Sequence, residues 1–289
     1  MLGWLVVNSF INSNKFKELY VFFEKAANKL NIKLEVKTTD SLLCSIDDSF
    51  SSFVLPQFVI FWDKDIYLAQ RLEKLHIPVY NSAKAIELCD NKILTALALI
   101  NKVNIPKTVI APKTFEGVGY NKLDFLRQAI DILGLPLVIK EAYGSFGQQV
   151  YLATTFEQAQ SIIEKINFKD CLFQQFIASS CGKDVRINVV GGKVAASLLR
   201  YNDNDFRSNI TNGAKMKQIT PTREQQDIAL RACEILGLDF AGVDVLLGDN
   251  GKPYICEVNS NVHFKSTFDC TGVDMSELIL KHILGELQK

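Results

Sequence analysis

The chain has 289 residues, of which 48% are hydrophobic and 22% charged, an ordinary globular composition with room for two or three modest domains. Its 32 basic residues balance 32 acidic ones, which argues against a general nucleic-acid binder while leaving room for a local basic cleft. No apolar run approaches the ~18 residues of a membrane span. The seven cysteines (Cys44, Cys89, Cys171, Cys181, Cys233, Cys256 and Cys270) show no C-x-x-C spacing and read as reduced thiols of a cytoplasmic protein.

In chain order, Leu2 to Val7 reads as a buried first strand, since no basic segment precedes it as in a signal peptide. Lys15 to Leu30 has helical spacing, and Lys33 to Thr38 and Phe58 to Trp62 are strand-like. A helix over about Asp65 to Leu75 and a strand at Pro78 to Tyr80 complete an alternation that predicts a small parallel sheet with helices on its faces, over residues 1–83. Ser82 to Val103 then reads as a helical stretch ended by Asn104-Ile105-Pro106. A short strand at Thr108 to Ile110, a helix over Leu123 to Leu133, and strands at Pro136 to Lys140 and Val150 to Ala153 suggest a second, mixed unit over residues 84–170.

The last part, residues 171–289, is richer in hairpins. Val185 to Val190 and Lys193 to Tyr201 flank Gly191-Gly192, a two-residue turn. Arg223 to Leu236 reads as a helix, with Thr222 and Gln225 at capping-box spacing and Gly237 as its stop. Ala241 to Leu247 and Lys252 to Asn259 are strands around Asp249-Asn250-Gly251. The fold class is therefore α/β, passing to α+β in the C-terminal part.

The last hairpin is the most informative feature. With Asn250-Gly251 as a two-residue turn, Asp249 pairs with Lys252 and Asp244 stands opposite Glu257. Glu257 and Asn259 are two apart and share a strand face. Opposed carboxylates repel, and a hard divalent cation such as magnesium between them reverses that sign. The apolar flanks imply buried strands, where an uncompensated charge is costly, and favour a metal over a solvated face.

Other features are weaker singly. Lys140 ends an apolar strand before Gly144-Ser145-Phe146-Gly147, which reads either as an ordinary turn or as a loop whose N–H groups approach a phosphate. Lys92, near the start of a helix, is by itself a surface lysine. Asp184 and Arg186 alternate on one strand, with Arg200, Arg207 and Asn209 soon after; these are either surface ion pairs or a lining suited to carboxylate and phosphate oxygens.

Taken in order, the pieces resemble the ATP-grasp superfamily, in particular the RimK-like amino-acid ligases. The resemblance runs from Asn81 and Asp90-Asn91-Lys92 through Lys140, Gly144-Ser145-Phe146-Gly147, Asp184-Val185-Arg186 and Asp205-Phe206-Arg207-Ser208-Asn209. It continues to Asp244, Glu257-Val258-Asn259 and Thr271-Gly272-Val273-Asp274. It implies an N-terminal pre-ATP-grasp domain and ATP gripped between the central and C-terminal units. Lys92, Lys140 and the loop Gly144, Ser145 and Gly147 would meet the nucleotide. Gln174, Gln175, Phe176 and Ile177 would meet its adenine, and Asp184 the ribose end or an adjacent polar group. Asp244, Glu257 and Asn259 would hold magnesium, or manganese in its place. Arg186, Arg200, Arg207 and Asn209 would serve the reaction.

The implied activity is ATP-dependent amide formation through an acylphosphate, adding glutamate or a similar amino acid to a carboxylate-bearing acceptor: a small molecule, a cofactor tail or a peptide C-terminus. Neither nucleic acid nor a membrane is an expected partner, and homo-oligomers are common among such ligases. Gln175 stands where many relatives have Glu, and Ser260 to Lys265 replaces a common Ala-Ser-Pro-Gly. His263 and Lys265 read equally as contacts for an acidic substrate and as solvated loop residues. An ATP-binding scaffold without turnover, or a dipeptide ligase of another ATP-grasp branch, are the alternatives.

Overall fold

The computed structural model describes residues 1–11, 13–43, 45–47, 50 and 52–289, with the backbone alone at residue 15; Cys44 lies outside them. The first sheet is parallel in the order β2-β1-β3-β4: β1 is Leu2–Val7, β2 Lys33–Thr38, β3 Phe58–Trp62 and β4 Val79–Tyr80. Helices α1 (Asn14–Lys29) and α2 (Ile66–Glu73) lie on it, α2 opened by Asp65, whose carboxylate accepts from Leu68 N at 3.0 Å. Because side chains alternate along a strand, Trp4 and Val6 join one core with Ala69, Leu72 and Ile86. Leu5 and Val7 join the other, with Phe23, Phe240, Phe264 and Ile279. That second core spans the chain from end to end and fixes the N-terminal sheet to the C-terminal elements.

The helical stretch expected over Ser82 to Val103 consists of two helices, with Lys92 near a helix start as expected. α3 (Ala83–Asp90) ends at Asn91, whose extended backbone and side-chain oxygen, accepting from Ile93 N and Leu94 N, start α4 (Lys92–Leu99). Local capping wins over the apolar period here, and it places Lys92 at the first position of a helix.

The second sheet is antiparallel, ordered β5-β8-β6-β7, with β5 Thr108–Ile110, β6 Leu137–Glu141, β7 Val150–Ala153 and β8 Cys171–Gln175. Helices α5 (Asp124–Leu133) and α6 (Phe156–Ile166) cover one face, meeting Leu137, Ile139 and Phe173. α6 is additional to the expected elements; Thr155 caps it by accepting from Gln158 N. By alternation, Thr108, Val138, Lys140 and Gln174 occupy the other face.

The third sheet is antiparallel, ordered β11-β10-β9-β12-β13: β9 Lys183–Val190, β10 Lys193–Tyr201, β11 Lys215–Gln218, β12 Phe240–Leu247 and β13 Pro253–Asn259. Gly191 and Gly192 both have positive φ, as their two-residue turn requires. α7 (Arg223–Leu236) carries the expected capping box and packs on Val185, Ile187, Val243 and Val245. α8 (Lys265–Thr271) and α9 (Met275–Glu286) close the chain. Cys89, Cys171, Cys181, Cys233, Cys256 and Cys270 are free thiols, and among the described residues no helix is long and apolar enough to cross a membrane.

Asn81 ties the first sheet to the third. It is fully buried; its Nδ2 donates to Phe240 O at 2.9 Å and Ser260 O at 3.0 Å, and its Oδ1 accepts from Asp239 N at 2.8 Å and Phe240 N at 3.3 Å. Asn81→Ala strands these groups away from water, so it is expected to lower the unfolding free energy by roughly 2–4 kcal/mol, read from the midpoint of urea denaturation.

Candidate functional site

Strand β9 alternates Asp184, Arg186 and Asn188 with Val185, Ile187 and Val189. The apolar set packs on α7, so the charged set must occupy the opposite face. Register then builds a network: Arg200 of β10 stands opposite Asp184, and Asp244 of β12 opposite Arg186. Arg200 Nε donates to Asp184 Oδ1 at 2.7 Å, and its Nη2 donates to Oδ2 of both Asp184 and Asp244, the latter at 2.9 Å. Arg186 grips Asp244 with Nε on Oδ1 and Nη2 on Oδ2 at 2.8 Å, and Ser208 Oγ donates to Asp184. Asp244 is 3% exposed, Asp184 5% and Arg200 6%, so water does little to screen these charges.

Burial pushes the Asp244 carboxyl up, but Arg186 and Arg200 outweigh it and hold it below the ordinary aspartate value. Burial dominates at Asp184 and raises it, against the pull of Arg200. Arg200, despite the cost of burial, is held more firmly protonated than usual by its two carboxylates.

The hairpin of β12 and β13 places Asp244 opposite Glu257, as expected, but by a different route. The connection is not a two-residue turn: Leu247 pairs with Pro253, and Gly248 N donates to Lys252 O at 2.8 Å. Asn250 and Gly251 do have positive φ. The longer loop offsets the register by one residue, and a bulge at Cys256 restores it before Glu257. The bulge lets Ile255 and Val258 both join the α7 core, while Cys256 and Glu257 line the cleft. The expected repulsion between Asp244 and Glu257 does not arise, because two guanidinium groups neutralise Asp244.

Two cavities flank this network. The first lies between the second and third sheets and is lined by Lys92, Lys140, Gly147, Gln174, Gln175, Phe176, Ile177, Asp184, Arg200, Arg207, Asn209, Asp244 and Glu257. The second opens toward the N-terminal sheet and is lined by Gly144, Ser145, Arg186, Arg200, Asn209, Glu257, Asn259, His263 and Lys265. Phe16, Glu18, Trp62 and Lys64 also line it. Sequence reasoning did not single out these N-terminal residues, since nothing in their local pattern sets them apart. Arg200, Asn209 and Glu257 line both cavities. Arg186 belongs only to the second, and Arg207 only to the first.

In the first cavity Lys92 Nζ donates to Gly144 O at 3.1 Å, and Lys140 Nζ lies 3.7 Å from Cys256 Sγ. Burial lowers the Lys92 ammonium pKa; Glu257 opposes this and Lys140 adds to it. Arg207 is bound by Asp205 and donates from Nη1 to Gly147 O at 2.7 Å, spanning from the third sheet to the glycine loop. Gly147 has positive φ, and a Cβ there would meet Asn209 Oδ1 at 2.5 Å. Thr108 Oγ1 donates to Pro106 O at 2.8 Å and so accepts from Gln174 Nε2 at 3.0 Å, which leaves Gln174 Oε1 as an acceptor.

The donor set fits a hard cation. Glu257 makes no ion pair among the described residues. Asn259 uses Nδ2 on Gly242 O at 3.5 Å, keeping Oδ1 as an acceptor. Of the four or so acceptor sites of the Asp244 carboxylate, its arginines take three and leave one on Oδ1. Oxygen ligands of this kind, with few protein carboxylates, suit magnesium. Among the described residues no cluster of three or more His, Cys, Asp or Glu forms a metal cage on its own.

The sequence model of the RimK-like ATP-grasp domain matches residues 89–283. An uncharacterized protein of Mycoplasma pneumoniae is 33% identical over 241 residues, 82% of this chain and 83% of that protein. A protein of Maridesulfovibrio salexigens named "Probable alpha-L-glutamate ligase" is 34% identical over 221 residues, 75% of this chain and 70% of its own. The crystal structure of a RimK-domain ATP-grasp protein from Sphaerobacter thermophilus matches with a TM-score of 0.75 at 20% identity, over 98% of this chain and 99% of that one.

The network makes a prediction independent of function. Asp244→Asn leaves Arg186 and Arg200 with one shared anion fewer and is expected to cost about 3 kcal/mol. Asp184→Asn is expected to cost less, because burial already drives that carboxyl toward its neutral form. Paired urea denaturation at neutral pH reads the difference; equal losses would contradict this account.

Proposed function

The chain belongs to the RimK-like ATP-grasp family, and on that premise we propose that it is an ATP- and magnesium-dependent ligase joining a carboxylate to an amine, with glutamate or a similar amino acid as the amine. The observation that carries the proposal is the meeting of the two cavities at Arg200, Asn209 and Glu257. These three side chains border both cavities, so a group held in one and a molecule held in the other would meet beside them. The glutamate preference is supported by the name of the Maridesulfovibrio relative. The division into an N-terminal unit over residues 1–83 and two ATP-grasp units stays part of the proposal; the second boundary is best drawn after β8, which pairs within the second sheet. The free thiols accord with a cytoplasmic location.

In this reading ATP occupies the first cavity. Gln174 Oε1, held as an acceptor by Thr108, suits an amino group on the base. Lys92 and Lys140 carry charge for the phosphates, and Arg207 holds the glycine loop over them. The acceptor lies in the second cavity, its carboxylate facing Arg186 and Arg200. A carboxylate oxygen attacks the γ-phosphorus as the bond to ADP breaks, and the amine then attacks the acyl carbon and expels phosphate. The protein contributes position and charge; no side chain serves as nucleophile. Magnesium, held by Glu257, Asn259 and the open Asp244 site, would draw charge from the phosphates.

Glu257→Gln is expected to abolish ADP release in a screen of amino acids against candidate acceptors, with the circular dichroism of the wild type retained. Near-normal turnover would sink the metal assignment, and silence of the wild type over a broad panel would sink the ligase reading.

A second prediction concerns pH. A lysine with a lowered pKa loses its charge, and its hold on a phosphate, at a lower pH than an exposed lysine. ATP affinity is therefore expected to fall as pH rises toward the ordinary lysine value of about 10.4, beginning well below it. In Lys92→Arg, whose guanidinium keeps its proton, that alkaline fall should shrink. Identical profiles in calorimetric titrations of the two proteins would remove Lys92 from the phosphate site.

A further inference from the structure

Lys64, just past β3, is the cation that the N-terminal unit brings into the second cavity among the described residues. Its turn is rigid. Asp63 Oδ1 accepts from Lys64 N at 2.6 Å and from Asp65 N at 2.9 Å, and Asp63 O accepts from Asn261 Nδ2 at 2.7 Å. The last bond ties the turn to the chain two residues beyond Asn259. From this base the Lys64 ammonium pairs with Asp90, at the end of α3, and donates to Ser145 Oγ at 3.3 Å.

Ser145 lies in the glycine loop, which is also held from the opposite side. Arg207 reaches Gly147 O at 2.7 Å, and Thr211 Oγ1 reaches Phe146 O at 3.5 Å. The root of the loop is bound to the start of α4, through Lys92 N on Ala142 O at 2.9 Å and Lys92 Nζ on Gly144 O at 3.1 Å. Lys64 is thus a contact from the N-terminal unit to this loop, and it stands in the acceptor-side cavity, which Arg207 does not line.

We propose that Lys64 is a positioning residue: braced by Asp90 and by its Asp63 turn, it holds Ser145 and so keeps the glycine loop closed over the nucleotide phosphates from the acceptor side. The idea rests on the nucleotide reading of the first cavity. It makes the N-terminal sheet part of the closing device as well as a wall of the cleft. A molecule filling the second cavity beside Lys64 would then bear on the loop directly.

The test is amide hydrogen exchange of the full chain with magnesium and the non-hydrolysable analogue AMPPNP. In Lys64→Ala, amides of residues 145–148 are expected to exchange about tenfold faster than in the wild type, while those of β1 and β3 keep their protection. AMPPNP affinity should change less than about threefold, since Lys64 acts on the loop and not on the nucleotide. Ser145→Ala should reproduce the faster loop exchange from the other end of the bond, the double variant should exchange no faster than either single one, and Lys64→Arg should restore protection. If Lys64→Ala proves unstable, Ser145→Ala reads the same bond. Unchanged loop exchange in the presence of bound AMPPNP, or additive effects in the double variant, overturns the proposal alone. Failure of the wild type to bind AMPPNP overturns both it and the nucleotide reading.

Discussion

A single guanidinium group, that of Arg200, donates to two carboxylates from different strands, Asp184 of β9 and Asp244 of β12. Neither acid could stay charged in that location unaided, because a buried carboxylate without a partner costs several kcal/mol. Arg186 completes the balance from beside Asp244. The arrangement fixes the mutual register of three strands, since a slip of one residue would carry these charges into the α7 core. It also leaves Glu257 as the carboxylate at the junction of the two clefts that carries no ion pair among the described residues. Negative charge is thus settled where it supports the sheet and left open where a cation would be useful.

The bulge at Cys256 decides where that open carboxylate points. Strand β13 must bury Ile255 and Val258 on the α7 side, and strict alternation cannot do so. One inserted residue resolves the conflict and brings Glu257 opposite Asp244. Close backbone approach matters nearby as well. A Cβ on Gly242 would fall 2.6 Å from Val262 Cγ2 and 3.1 Å from Arg186 Nη1, so the arginine can lie along the strand only because that residue is glycine.

One face of the N-terminal sheet encloses a core of its own, the other shares a core with Phe240, Phe264 and α9, and Asn81 adds four hydrogen bonds across that second junction. Such an attachment suits a wall that must hold side chains at fixed distance from a reacting centre, because rigid elements position groups better than free loops do. It explains how Trp62 and Lys64 come to face residues far later in the chain.

Much of this was legible in the residues themselves. Strand β1, the Gly191-Gly192 turn, the Thr222 to Gln225 capping box and the alternation along β9 are local patterns, each governed by backbone geometry over a few neighbours. The ordered motifs from Lys92 to Asn259 pointed to the family, and the residues picked out from them line the two cavities. Other features were invisible there. The exact break at Asn91, where a cap competes with a hydrophobic period, is hidden by the period alone. The pairing of Asp244 with arginines, the loop and bulge that correct the last hairpin, and the reach of Lys64 to Ser145 all depend on residues distant in sequence. Periodicity carries which face a side chain takes, but which charge stands across from it is set when sheets and helices compete for the same interior.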